Sequence, residues 1–501
     1  MSRAATGAVN FAEYLPDLPA TDNPGVTEAL NVLPIDRFYA AYKPMAGVGT
    51  ALSERPRGGI SVLDTGSAAF VYAGSATKLW QRNGTSWTDK SGAAYTTGTD
   101  SYWRFAQFDN TVISTNYNDV PQSLQAGGGG NFAALALVGT APQARQVGVV
   151  GRHVVLGDTI DGVNGTVPYR IQWCRIDDET EWPVPNSADA RAKQAGEQFM
   201  PSAFGPVTGI AGNDQFGIVF QRSGISRMTY VGGDLVYQFD VIDSSHGAPY
   251  ANGIVQVGNG AYFIAADGFY YTDGVTVTPI GAGKFDKLFI DNVDTFYKQR
   301  VYGALERFKK LVYWIYPGAG NTGGMPNNVL ILNFRENRVT RAEDNIECLI
   351  SALTTSYTLE DLDALFATLE DVTPDLDSDY WQGGNSVLSG FDSSYKLGSF
   401  SGTPGTATID SQESELNPGL MTFFSGVKPV VQGNSSVTVA LGTRNSVADT
   451  VSFGGDMAIT TRTGFADFRT EARYARSRIK VSGDFTAAQG VLYQAQVGGA
   501  A

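Results

Sequence analysis

"FIAADGFYYTDGVTVTPIG", residues 263–281, sets two Asp-Gly pairs, Asp267-Gly268 and Asp273-Gly274, on either side of Phe269, Tyr270 and Tyr271. Asp-Gly reaches the positive φ of a tight hairpin turn at little steric cost. Aromatic residues suit a pleated, half-buried surface. The stretch therefore predicts two successive two-residue hairpin turns with one short strand between them. Neither aspartate is assigned any chemistry.

The same grammar recurs along the chain, a polar turn followed by a short apolar and aromatic run. It begins at Thr65 ("TGSAAFVYAG"), Asp109 ("DNTVISTN"), Gly151 ("GRHVVLGD"), Asn213 ("NDQFGIVFQ"), Gly258 ("GNGAYFIAADG") and Glu306 ("ERFKKLVYWIY"). Successive starts lie 44, 42, 62, 45 and 48 residues apart. A period in the forties with several strands per unit is the pattern of propeller blades, sheets that cannot bury both faces alone and so stack radially around an axis. The chain is accordingly expected to be all-β, a β-propeller of about six blades. The long step contains "SADARAKQAGEQFM", the one short helix that the sequence suggests.

Flanking segments differ in character. Residues 1–45 carry Pro16, Pro19, Pro24, Pro34 and Pro44, which exclude a continuous helix or a central strand, so an extended N-terminal arm is expected. The propeller is placed at 46–416, with an acidic insertion near 343–392. Residues 417–501 return to alternating strands, as in "VTVALGTRNSV" and "ARSRIKVSG", and predict a small C-terminal β domain.

Composition agrees with this division. The chain has 501 residues, 59 of them Gly, with 11% aromatic and only 17% charged residues. Long helix-forming runs are scarce, and a chain of this length can bury a large core without covalent staples. Cys174 and Cys348 are the only cysteines, too few for a disulfide framework or a zinc knot, and are expected to be buried thiols in a reducing cytoplasm. The N-terminus lacks the apolar run of a signal peptide, and no segment reaches membrane-helix length, so no membrane anchor is expected. A net charge of −14 weighs against a surface built to hold nucleic acid.

The sequence suggests no catalytic, cofactor-binding or metal-ligating residues. His153 lies in an apolar run and His246 in a loop, and the G-x-S-x-G of a nucleophile elbow is missing. "GAGNTG" (318–323) resembles a dinucleotide fingerprint in letters alone. It leads into the strand "NVLILNF", whereas phosphate cradling needs a helix N-terminus. "DLDSDYWQGGNS" starts like a calcium loop but has Tyr380 where a glycine belongs and Ser386 where a glutamate belongs.

Two charge clusters remain. Between Arg341 and Lys396 there is no Lys or Arg, while the stretch holds Glu360, Asp361, Asp363, Glu370, Asp371, Asp375, Asp377 and Asp379. Near the C-terminus Arg469, Arg473, Arg476, Arg478 and Lys480 form a dense basic run. Strand alternation places Arg476, Arg478 and Lys480 on one face and Ile479 and Val481 on the other. That basic face suits an acidic partner surface, such as the acidic stretch of a neighbouring copy.

Several segments in order, "FVYAGSATKLWQRNGTSWTDKS", "WRFAQFDNTVISTN", "RIQWCRIDDETEWPV", "VTGIAGNDQFGIVFQRSGISRMTYVGG", the opening stretch, "LDSDYWQGG" and "RIKVSGDFTAAQGV", resemble the β-propeller tail proteins of short-tailed bacteriophages, the nozzle and packaged-DNA-stabilisation proteins. The resemblance spans most of residues 15–490. It implies a structural virion protein rather than an enzyme, synthesised in the host cytoplasm and located in the tail. It further implies a homohexameric ring that meets the portal and adaptor, carries spikes or fibres, retains packaged DNA and lets it pass without sequence-specific binding. On that reading the acids from Glu360 to Asp379 face the lumen and repel DNA, and the basic cluster with the arm contacts neighbouring subunits. The alternative is a carbohydrate-binding or glycoside-cleaving propeller acting on host surface polysaccharide, with paired carboxylates at an axial pocket.

Overall fold

A computed structural model describes residues 5–99, 101–353 and 386–498. The chain is a β-propeller. The propeller of about six blades expected from the sequence is present, with free-standing four-stranded antiparallel sheets at 59–89, 104–134, 143–199, 207–243, 255–279 and 346–400. A further four-stranded unit, 302–343, stands between the last two of these and is hydrogen-bonded on its outer side to a larger sheet. In chain order these units are blades one to seven.

The first strands of the blades lie innermost and pack against one another around the axis. The first strand of blade seven, Ile346–Leu353, meets that of blade one, Gly59–Leu63, and closes the ring. The six polar turns in the sequence are the connections between first and second strands of blades one to six. In blade seven that connection is residues 354–385, outside the described residues, between the paired Leu353 and Ser386. A compact turn signal is therefore missing there, which is why the periodic count stops at six.

Burial follows the alternation of each strand. Wedges of apolar side chains fill the space between blades, for example Ile113 against Val154 and Leu156, Val150 against Val219, and Phe220 against Phe263. Each such side chain is worth about 1.5–3 kcal/mol when fully removed from water. Cys174 and Cys348 are free thiols within these wedges.

The outermost strand of blade seven is Met45–Gly47, contributed from the N-terminal side of the chain and paired with Leu397–Phe400. Close approach there depends on Gly398, where a Cβ would lie 1.9 Å from the Ala46 carbonyl oxygen. The rest of the arm is laid over its own chain. Ala5–Asn10 pairs with Tyr474–Val497, Glu28–Leu30 with Ala407–Asp410, and Val32–Ile35 forms a hairpin with Phe38–Ala41.

Beyond the propeller, Thr422–Arg444 and Tyr474–Val497 form one long antiparallel hairpin, curled at three register shifts. Ile479 and Val481 are fully buried, as alternation requires. The sheet already includes Ala407–Asp410, ahead of the expected start at 417. It runs through Glu28–Leu30 to the outer strand of blade six, Arg338–Glu343.

Two local expectations need adjustment. Phe269–Thr272 is a strand, but the connection after it spans 273–276, because the Asp273 carboxylate accepts hydrogen bonds from the Val275 and Thr276 amides. On the other side Ala265 bonds to Gly268, so the reversal falls at Ala266-Asp267. A second helix, Asp286–Asn292, joins the expected Ala188–Ala192, and both are short. It buries Phe289, with Leu288 packed on the same core, and Asp17 of the arm accepts from its Lys287 and Leu288 amides.

Candidate functional site

First strands begin at one end of the propeller axis, so the connections between blades gather there. Residues from blades three and four and from the links between blades enclose a cavity of about 290 Å3 at this mouth. Its floor is set by a bulge in His153–Asp161, where the register skips between Gly157 and Thr159. Asp158 sits at the bulge with φ +54°, a left-handed conformation that Asp tolerates better than most residues.

The Asp158 carboxylate is 4% exposed, and its Oδ2 accepts from Arg145 Nε at 2.9 Å. Arg145 in turn lies 3.8 Å over the Tyr117 ring, which holds its guanidinium in place. Burial raises the Asp158 carboxyl above its ordinary range against the downward pull of Arg145. Gln146 is fully used, donating to Tyr102 at 2.9 Å and accepting from Arg104 at 3.1 Å. Asp158 Oδ1, Thr208 Oγ1 and Gln299 Oε1, by contrast, have no hydrogen-bond partner among the described residues. Arg222 and Lys298 are exposed at the rim of the same cavity.

None of these cavity residues was singled out from sequence. The signal is slight, an aspartate after glycine inside the apolar run "HVVLGDTI", where strict alternation allows no acid on either buried face.

The histidines are committed locally. His153 is buried, with Nδ1 2.7 Å from Tyr237 Oη and Nε2 3.1 Å from the Gln194 carbonyl oxygen, and burial pushes its pKa down from 6.5 to about 4. His246 Nδ1 lies 2.9 Å from Asp243, its ring packs on Tyr270 with centroids 4.5 Å apart, and Nε2 faces Asp267 at 3.7 Å, so both ring nitrogens face carboxylates. Burial pushes both cysteine thiols up to about 12, away from thiolate chemistry. Among the described residues no group of His, Cys, Asp or Glu is arranged to hold a metal.

The predicted charge clusters fare differently. Glu360, Asp361, Asp363, Glu370, Asp371, Asp375, Asp377 and Asp379 lie outside the described residues. In the basic cluster Arg478 makes a two-pronged pair with the buried Asp410, both contacts at 2.7 Å, and Lys480 pairs with Asp456 at 2.7 Å. Arg476 is half-buried, donating to Thr27 at 3.3 Å and stacking over Phe453. These three serve contacts within the chain, which alternation alone could not reveal because Asp410 and Asp456 come from other strands. Arg469 and Arg473 are exposed and form no ion pair among the described residues.

No protein-family model matches the chain, and no curated protein matches it. Among solved structures it is similar to the WD40 domain of Pan2 from Neurospora crassa, at 6% identity and a TM-score of 0.37, over 62% of this chain and 89% of that one. It is also similar to a chain in the crystal structure of a mitotic checkpoint complex, at 8% identity and a TM-score of 0.40, over 73% of this chain and 96% of that one. Likenesses this distant carry no statement about role. Among the described residues no helix is long and apolar enough to cross a membrane.

Proposed function

We propose that this chain is a non-enzymatic structural subunit of a short-tailed phage tail, of the nozzle type, assembling as a homohexameric ring that continues the DNA channel and carries spikes or fibres. The sequence resemblance motivates the reading. The observation that carries it in the structure is the outer rim of blades three and four. Val184, Phe199, Val231, Leu235 and Val241 are all exposed there, beside Val236–Asp243, an eight-residue outermost strand with no strand paired on its far side among the described residues. Exposed apolar residues beside an open sheet edge suit contact with another protein surface, here a neighbouring copy. The commitment of both histidines to local contacts supports a role without catalysis, and the net charge of −14 suits a body that DNA passes without being held.

Mass photometry and negative-stain imaging of the purified chain, alone and with its adaptor ring, test the proposal. Closed six-fold rings are expected, reverting to monomers in a Leu235→Glu, Val241→Glu double variant. A monomer under both conditions overturns it. Glycoside cleavage is less well supported, because Asp158 is the only carboxylate among the described residues lining the axial cavity and Arg145 already holds one of its oxygens.

A further inference from the structure

Three buried side-chain oxygens without a hydrogen-bond partner among the described residues belong to residues that line the axial cavity. Buried polar atoms in folded proteins are almost always paired, and an unpaired one costs about 1–3 kcal/mol. Here three lie together. Asp158 is 4% exposed and Thr208 is 9% exposed, both line the cavity, and each has a buried side-chain oxygen with no hydrogen-bond partner among the described residues. Gln299 Oε1, from the link between blades five and six, is the third. The backbone of Asp158 is held in the left-handed region, and its other oxygen is fixed by an arginine that is itself stacked on an aromatic ring. A carboxylate held this firmly with one oxygen free is pre-organised for a ligand.

The chemistry of the walls specifies what that ligand carries. The free atoms of Asp158 and Gln299 only accept, so the ligand must bring O–H or N–H donors to them. Thr208 accepts or donates. Arg145 is neutralised by Asp158, whereas Arg222 and Lys298 at the rim form no ion pair among the described residues. A group of opposite charge is needed there, and arginine favours a planar carboxylate. The volume of about 290 Å3 is at the lower end for small-molecule sites and admits one or two sugar-sized rings.

We propose that the axial mouth of this propeller is a binding site for a small hydroxylated carboxylate, an acidic monosaccharide such as a uronic acid. Its hydroxyls donate to Asp158 and Gln299, and its carboxylate is held by Arg222 and Lys298. The site binds and does not cleave. It goes beyond the structural role and stands independently of it, since ring formation and ligand binding have separate readouts.

Titration of the full-length chain with D-glucuronate, followed by calorimetry and by saturation-transfer NMR, tests this, with glucose, acetate and serine as comparison ligands. Glucuronate is expected to bind at least tenfold more tightly than glucose or acetate, and more tightly than serine. Thr208→Val and Arg222→Ala should each weaken glucuronate about five- to tenfold, the loss expected for one hydrogen bond or one charged contact, with unchanged thermal unfolding. Arg222 is exposed, so its variant keeps the test open if Thr208→Val disturbs packing. Equal binding of acetate or glucose, tighter binding of serine, or glucuronate affinity indifferent to a folded Arg222→Ala variant would each overturn the assignment.

Discussion

His153 and Asp286 show how burial of a single ionisable group sets the acid response of the protein. His153 titrates near 6.5 when unfolded and near 4 when folded, because its burial disfavours the imidazolium. The unfolded chain therefore binds the extra proton between those values, so His153 costs no stability above about 6.5 and progressively more as pH falls toward 4, by up to about 3 kcal/mol. Asp286 acts with the opposite sign. Burial raises it from 3.8 to about 6, and Gly268 and Gly281 flank the carboxyl so closely that a Cβ on either would lie 2.3 or 1.9 Å from it. Its contribution is favourable below about 4 and is lost as pH rises through about 6. Two predictions follow at this scale. His153→Gln should flatten the fall in melting temperature between pH 6.5 and 4, and an unchanged slope would show that other groups control it. Asp286→Asn, which keeps the oxygen that accepts from the Phe269 amide, should raise the melting temperature at pH 7 and leave it unchanged at pH 3.5.

At the scale of elements, the closing strand of blade seven matters most. Met45–Gly47 joins the last blade to a segment far away in sequence, and that contact depends on the missing side chain at Gly398. Gly398→Val should therefore cost about 2–4 kcal/mol in urea unfolding and expose residues 44–57 to limited proteolysis. Gly405→Val, with no atom within 4 Å of the added Cβ, is the matched control and should change neither. The beat of polar turns made the inner hairpins of six blades legible. The seventh was not, because residues 354–385 separate its first two strands in sequence, and the helix at Asp286–Asn292 is too short for its apolar spacing to stand out.

At the scale of the whole molecule, the arm, blade six and the long C-terminal hairpin share one hydrogen-bonded sheet. Arg341 binds Glu28 through two contacts at 2.9 and 2.8 Å, and Lys284 binds Glu13 at 2.8 Å, so the arm is pinned to the propeller as well as to the hairpin. Removing residues 1–40 should uncover an edge of Tyr474–Val497, which Ala5–Asn10 otherwise covers, and produce soluble aggregates in size-exclusion chromatography. A monodisperse product with normal thermal unfolding would overturn the covering role of the arm.

What the sequence determined by itself is the class and rhythm of the fold. Alternation and turn chemistry act over a few residues, so short strands, inner hairpins and the buried face of Ile479 and Val481 are written locally. Local pattern also predicted that both cysteines would be buried thiols, as they are. What only the tertiary structure decided depends on residues brought together from distant strands. Examples are the pairing of Arg478 with Asp410, the closure by Met45–Gly47, and the meeting of Asp158, Thr208 and Gln299 at the axis. The physical reason is that a ring places every first strand beside the axis whatever its position in the chain, so its central chemistry is set by geometry and has no signature in any one segment.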